Sequence, residues 1–483
     1  MSDRFDIEQI QGNILRGYRR QHVRHLFLAI SDRGKARKWL GAAASGGADG
    51  IPAITRESKQ KWEGRKPDLC FNIGLTFEGL RELRIPEAYV KTLSAEFIQG
   101  MRARAVKLGD VDDSAPEHWR PEFGEPNRLH MLASIHADHP SHLDDAEARL
   151  LKPGGPFDLV DKLDGESLPQ GKVHFNYTDN ISQPRFREVP DHARRGDTEP
   201  FDPLGTILLG HPTTFEGLYW RDLKEDDLLF NGTFNAFRMM KQDVEGFEAF
   251  LDEAADWLLA HPDGEELLAP GAEADFHDLI EPDDKSGAKT ITRHQAMREI
   301  VVAQMCGRWR NGRALALSPD SPGGERDAKD NTFEYPRDTR CPAGSHVRRC
   351  HPRGGQIVQR VANYSRRLIR RGMVYGPAYR RGDPPAERGL LGNFIGASLG
   401  AQFEAMMCDW LNLGLHDPDI TGSNDPLIGA NSPETSWFDL QLKSGKTIRL
   451  RGFKRFVTTR AGAYLFLPSL NAIENISKWT ESG

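Results

Sequence analysis

Gly232-Thr-Phe-Asn-Ala-Phe237 reads as a strand, and Val244, Phe247, Phe250, Leu251 and Leu258 follow it at helical spacing. The first half of the chain runs in the same order: His25-Leu-Phe-Leu-Ala-Ile30, Leu69-Cys-Phe-Asn-Ile-Gly-Leu75 and His130-Met-Leu-Ala-Ser-Ile-His136 are short apolar strands with helical stretches after or between them. A strand-and-helix unit met twice predicts sheets covered by helices, in two successive modules. The run from Arg185 to Pro203 is charged and loop-like, a composition that packs poorly and connects well. The boundary is placed just after it, giving modules over 1–215 and 216–483. Near the end, Leu399, Phe403, Met406, Met407, Trp410 and Leu411 mark one apolar helix face, and Ala463-Tyr-Leu-Phe-Leu-Pro468 a closing strand. Two insertions rich in Gly, Pro and acidic residues, 262–292 and 319–330, are expected to be surface loops.

The whole chain sets bounds on function. With 483 residues, 38% hydrophobic and 28% charged, it has the composition of a globular protein with more than one core. A formal net charge of -6 gives no general attraction to nucleic acid or an anionic membrane. No apolar run reaches the ~18 residues of a membrane span, and the start is charged, so a cytoplasmic location is expected. Five cysteines, an odd number thinly spread, are expected to be reduced thiols.

The segment Cys341-Pro-Ala-Gly-Ser-His346-Val-Arg-Arg-Cys350-His351 holds two thiols and two imidazoles. Zinc is one reading, but adjacent Cys350 and His351 point apart in an extended chain, and His346 alone also suits a plain loop hydrogen bond. Ten arginines between Arg348 and Arg381 suggest a polyanion, or a solvated charged face; only Tyr364, Tyr375 and Tyr379 interleave with them, against a nucleic-acid platform. Among them, the apolar pair Leu368-Ile369 delivers a buried-looking Arg370. In Val173-His-Phe-Asn-Tyr-Thr-Asp179-Asn-Ile-Ser-Gln-Pro184 one carboxylate sits among turn formers, where an Asx turn or a helix cap is the usual role.

With His346, Arg370 and Asp179 together, the chain resembles the dye-decolorising peroxidase family, in its longer forms, over nearly its whole length. Ile10-Gln-Gly-Asn-Ile-Leu-Arg-Gly17, Gly307-Arg-Trp-Arg-Asn-Gly312, Arg388-Gly-Leu-Leu391, Ala397-Ser-Leu-Gly-Ala-Gln-Phe403 and Asn424-Asp-Pro-Leu-Ile-Gly429 carry the resemblance beyond the segment from Asn331 to Arg353. It implies an α+β fold of two ferredoxin-like modules, each an antiparallel sheet covered by helices, with haem b held mainly by the C-terminal one. His346 matches the iron ligand, with Arg348 beside it as a further cofactor contact. Asp179 matches the distal aspartate of the GxxDG motif, and Arg370, six residues before Gly376, the distal arginine. The implied activity is reduction of hydrogen peroxide and oxidation of phenolic or dye-like organic donors through a ferryl intermediate, with neither nucleic acid nor membrane as partner. The two alternatives are a haem-binding or haem-sensing protein with reduced turnover, and a specialised biosynthetic haem oxidase on the same scaffold.

Each implied role has a chemical reason. An imidazole binds iron through one nitrogen, and a carboxylate on its other N–H, which the sequence does not identify, raises its basicity. A carboxylate beside peroxide acts as base and then acid, while an arginine stabilises charge on the leaving oxygen. Two departures stand out. Asn176 and Asn180 replace the motif glycines; asparagine tolerates left-handed backbone, so the turn is expected to survive, with the side chains placed to fill distal space or bond Asp179. Gly392 stands where relatives commonly carry an aromatic, which predicts a cavity beside the cofactor.

Overall fold

The computed structural model describes residues 5–48, 50–59, 62, 66–193, 199–213, 223–279, 291–323, 331–335, 339–354 and 366–479. The boundary after 215, Arg360, Tyr364 and the loop portions 280–290 and 324–330 lie outside the described residues.

The fold is α+β. The predicted strands form β1 (His22–Ile30), β2 (Leu69–Leu75) and β3 (Met131–Ala137) in the first half, joined by β4 (Phe157–Glu166). The second half supplies β5 (Thr233–Gln242), β6 (Ile369–Tyr375), β7 (Gly389–Gly396) and, after a separate hairpin of β8 (Trp437–Gln441) and β9 (Thr447–Arg451), β10 (Val457–Leu467). Eight strands form one antiparallel sheet in the order β4-β1-β3-β2-β10-β5-β7-β6. The two four-stranded halves meet at a single register pair, Phe466 with Leu75. The far edges also converge, since a Cβ on Gly165 of β4 would fall 2.9 Å from the Val374 carbonyl of β6. The sheet therefore curls towards a barrel.

Helices cover the outside. Asp32 caps α1 (Arg33–Ala44) by accepting from the Lys35 N–H, and Ser469 caps α6 (Leu470–Ser477), which packs against α1. α2 (Pro140–Leu150) lies on β3 and β1. In the second half α3 (Val244–Ala260) buries the predicted face of Val244, Phe247, Phe250, Leu251 and Leu258, partly against α4 (Arg293–Cys306). Short α5 (His346–Cys350) carries the segment of chemical interest. The predicted helix over 399–411 is π-wound, as Leu399–Glu404 and Met406–Asn412, and buries Phe403, Trp410 and Leu411 as expected.

Three expectations need correction. Part of 262–292 is core: Phe276 is fully buried, its ring edge-on to Trp309 at 5.5 Å. The arginines after Arg348 are only in part a solvated face: Arg349, Arg353, Arg366 and Arg367 are buried on carbonyl or carboxylate partners, while Arg380 and Arg381 are exposed. Arg370, read as buried, is exposed. Among the described residues no helix is long and apolar enough to cross a membrane.

Candidate active site

The outer face of β5, β6 and β7 is the floor of a cavity of about 330 Å³. Every second side chain of a strand points to the same face, so Arg238 and Met240, Arg370 and Gly372, and Gly392 and Phe394 come together there. His346 and Cys350 from α5 also line the cavity, together with Leu411 and Ile428.

His346 lies at the first turn of α5 with its side chain 28% exposed. Its Nδ1 is 3.0 Å from Oδ2 of Asp425, a fully buried carboxylate. The partner is an acceptor, so Nδ1 carries the proton and Nε2 is left as the ligating nitrogen. Asp425 is itself fixed: Oδ1 accepts from the backbone N–H groups of Leu427 at 2.9 Å and Ile428 at 3.0 Å. Burial works to raise the Asp425 carboxyl, but His346, Arg349 and the Ile428 N–H outweigh it and hold it below the usual range. For His346, burial works against the charged ring, while Cys350 and Asp425 outweigh it and raise its pKa well above the ordinary value. Cys350 is one turn along α5, its Sγ 4.0 Å from Nε2.

The structure brings Asp179 and Arg370 to the same cavity as His346. Asp179 sits on a turn held by Asn176 N–H on the Val173 carbonyl (2.7 Å), Thr178 N–H on the Arg310 carbonyl (3.1 Å) and Asp179 N–H on the Gly171 carbonyl (3.0 Å). Asn176 and Asn180 adopt φ of 65° and 58°, the left-handed backbone that a glycine would take freely. The Asn180 side chain does not turn back on Asp179; its Oδ1 accepts from Gln183 Nε2 at 3.0 Å. Gln183 also grips β6, donating to the Arg370 carbonyl at 3.1 Å and accepting from the Arg370 N–H at 3.0 Å. The Arg370 guanidinium donates to the Ser182 carbonyl at 2.7 Å. One glutamine thus locks the aspartate loop to the arginine strand.

Arg348 is not among the residues that line the cavity. Its guanidinium donates to the Cys341 carbonyl at 2.6 Å and lies 5.0 Å from the centre of the Tyr335 ring. Among the described residues six other arginines line it: Arg238, Arg308, Arg353, Arg367, Arg370 and Arg455. Buried Glu199 and Asp202 partly offset two of them, with Arg353 and Arg367 at 3.2 and 3.5 Å from Glu199 and Arg367 at 2.9 Å from Asp202. Among the described residues Asp110 and Asp179 are the carboxylates on the lining. The zinc reading fails on this geometry. Among the described residues no three potential ligands converge. All five cysteines are free.

These residues fit the haem that the sequence resemblance implies. The walls are apolar where a macrocycle would lie, the arginines outnumber the carboxylates where two propionates need partners, and one imidazole offers its nitrogen from a carboxylate-held ring. Asp425 is the site residue that the sequence reading missed; its signal was the turn Asn424-Asp-Pro-Leu, in which an aspartate caps the N–H groups that follow.

Residues 9–165 match the model of the DyP dimeric alpha+beta barrel domain. The chain is 26% identical to a dye-decolorizing peroxidase of Mycena epipterygia, over 99% of this chain and 88% of the relative. It is 24% identical to the multifunctional dye peroxidase DyP2 of Amycolatopsis sp., over 97% and 96% respectively. A solved ancestral D-type dye decolorizing peroxidase superposes with a TM-score of 0.75 at 24% identity, covering 98% of this chain and 99% of that one. Sequence likeness along the whole chain and a shared fold thus point the same way: the chain carries the DyP barrel domain over residues 9–165, is similar over nearly its whole length to dye-decolorizing peroxidases, and is an oxidoreductase of the peroxidase class.

Proposed function

We propose that the protein reduces hydrogen peroxide and oxidises small phenolic or dye-like organic donors, with haem b as cofactor. The supporting observation is one cavity lined by His346, Asp179 and Arg370, with His346 held on the buried Asp425 carboxylate. Bound haem supplies the iron and the redox capacity. His346 presents Nε2 to it, and Asp425 keeps the proton on Nδ1 and so raises the basicity of the ligand. The Asp179 carboxylate takes a proton from one peroxide oxygen and returns it to the other as the O–O bond breaks. Arg370 stabilises the negative charge that builds on the departing oxygen. For a phenolic donor ArOH the sum is H2O2 + 2 ArOH giving 2 H2O + 2 ArO radicals.

The division at 215 belongs to this reading, supported by the four-plus-four strand order. A cytoplasmic location belongs to it too, supported by five unpaired cysteines. The test is oxidation of guaiacol by the haem-loaded protein with and without peroxide. Peroxide-dependent product is expected. Product without peroxide would favour the specialised oxidase, and haem binding with no product at all the sensing protein.

A further inference from the structure

β6 ends the strand order of the sheet, and Arg370 is its second residue. In an antiparallel ladder every second residue turns its N–H and C=O away from the strand it pairs with, and on an edge strand those groups meet no further strand. At Arg370 the Gln183 side chain takes both: Nε2 donates to the carbonyl at 3.1 Å, and Oε1 accepts from the N–H at 3.0 Å. A primary amide carries a donor and an acceptor side by side, as a peptide does, so Gln183 stands in for one residue of a missing strand. Its second amide hydrogen goes to Asn180 Oδ1, at 3.0 Å.

The same loop holds the side chain of Arg370. Ser182, the residue before Gln183, accepts from the guanidinium through its carbonyl at 2.7 Å. Backbone and side chain of the arginine are thus both set from positions just after Asp179. On its other side the loop is fixed to the body of the protein. Thr178 N–H and Oγ1 donate to the Arg310 carbonyl at 3.1 and 3.0 Å, and the Ile181 carbonyl accepts from Asn331 Nδ2 at 2.9 Å. The stretch from Asp179 to Gln183 is therefore a spacer between a carboxylate and a guanidinium. Asp179, Asn180, Ser182 and Arg370 line the cavity, and Gln183 does not. Whatever Gln183 contributes passes through its neighbours.

Peroxide cleavage asks for both charged groups at once, since a proton passes from one oxygen to the other while charge builds on the leaving oxygen. A misplacement of about 1 Å between such groups costs on the order of 100-fold in rate. We propose that Gln183 is the positioning residue of the peroxide step, holding the Asp179 carboxylate and the Arg370 guanidinium at their working separation. This rests on the peroxidase reading and adds to it a residue that meets no reactant.

The test is the rate of the spectral change of the haem-loaded protein after rapid mixing with peroxide. Gln183→Met keeps the length of the side chain and removes its hydrogen bonds, and should react about 10 to 100-fold more slowly than the wild type. Gln183→Glu still accepts from the Arg370 N–H but no longer donates, and should lose roughly threefold or more. The discriminating readout is the background. In Asp179→Asn/Arg370→Leu no pair is left to align, so adding Gln183→Met should change the residual rate by no more than about twofold. A residue that only supports the fold would slow both backgrounds by the same factor. Either Gln183 variant reacting as fast as the wild type, or equal losses in the two backgrounds, overturns the inference. If Gln183→Met does not load haem, Gln183→Glu carries the comparison in both backgrounds. Guaiacol oxidation in the same preparations keeps the two readings apart. Wild-type turnover with unimpaired Gln183 variants removes the positioning role alone; a wild type that peroxide neither alters nor turns over removes the peroxidase reading and the inference with it.

Discussion

At the scale of single residues, the two faces of the cavity ask different things of their carboxylates. Asp179 must be free to take and return a proton, and it sits exposed on a turn; Asp425 must stay charged, and it is buried with both oxygens occupied. Asp179→Asn keeps the shape and removes the base, so peroxide cleavage should slow by ~100 to 10,000-fold, read as the rate of the spectral change after rapid mixing with peroxide. Asp425→Asn should lower haem affinity or peroxide reactivity by roughly 10 to 100-fold, and raise the haem reduction potential, because a neutral partner makes His346 a weaker donor. A merely structural Asp425 would leave the potential unmoved. His346, Arg370 and Asp179, singled out in the sequence through the family resemblance of the local segments that carry them, line one cavity. Asp425 was not singled out, since its pairing with His346 spans 79 residues and neither partner announces the other.

At the scale of elements, the Asp179 loop tests how far asparagine substitutes for glycine. Asn180 holds φ of 58° while its side chain reaches Gln183 rather than Asp179. Asn180→Gly should change stability by no more than about 1 kcal/mol, while Asn180→Val, branched at Cβ, should cost about 1–2 kcal/mol, both measured by urea unfolding. Equal stability of the two would mean that the turn does not impose its backbone. Asn180 lines the cavity, as expected of a side chain that fills distal space, but bonds Gln183 rather than Asp179, and the cavity predicted at Gly392 is partly taken up by Phe394 and Met240. The apolar strands were readable. β4 and β6 were not, because one is interrupted by Asp158, Asp161, Lys162 and Asp164 and the other carries Arg370 and Arg371 directly after its first residue. A period-two pattern with charges on it hides strands that a curled sheet pairs all the same.

At the scale of the whole molecule, the strand that closes the chain lies at the middle of the sheet. β10 sits between β2 and β5 and joins the two halves, an arrangement that sequence order cannot disclose because strand pairing is set in space. What the halves enclose is partly polar: His25, 2.9 Å from Ser134 Oγ, and His136 lie inside the curl. Burial pushes His25 down to about 4 and His136 to about 3. Folding therefore favours their neutral forms. Their contribution to stability is full above the unfolded histidine value of about 6.5 and is lost as pH falls from there through the folded values. Unfolding free energy should drop by a few kcal/mol between pH 7 and pH 5, and the double variant His25→Gln/His136→Gln should flatten that slope. An unaltered slope in the variant would place the acid sensitivity elsewhere.

The proposed activity depends on His346 holding a haem that peroxide can oxidise. The absorption spectrum of the haem-loaded protein, recorded before and after one equivalent of peroxide and again after a phenolic donor, tests it most directly. A Soret band that shifts on peroxide and returns on donor, and that is altered at rest in His346→Ala, is the predicted result. A resting spectrum unchanged by His346→Ala, or one that peroxide leaves unmoved, would contradict it.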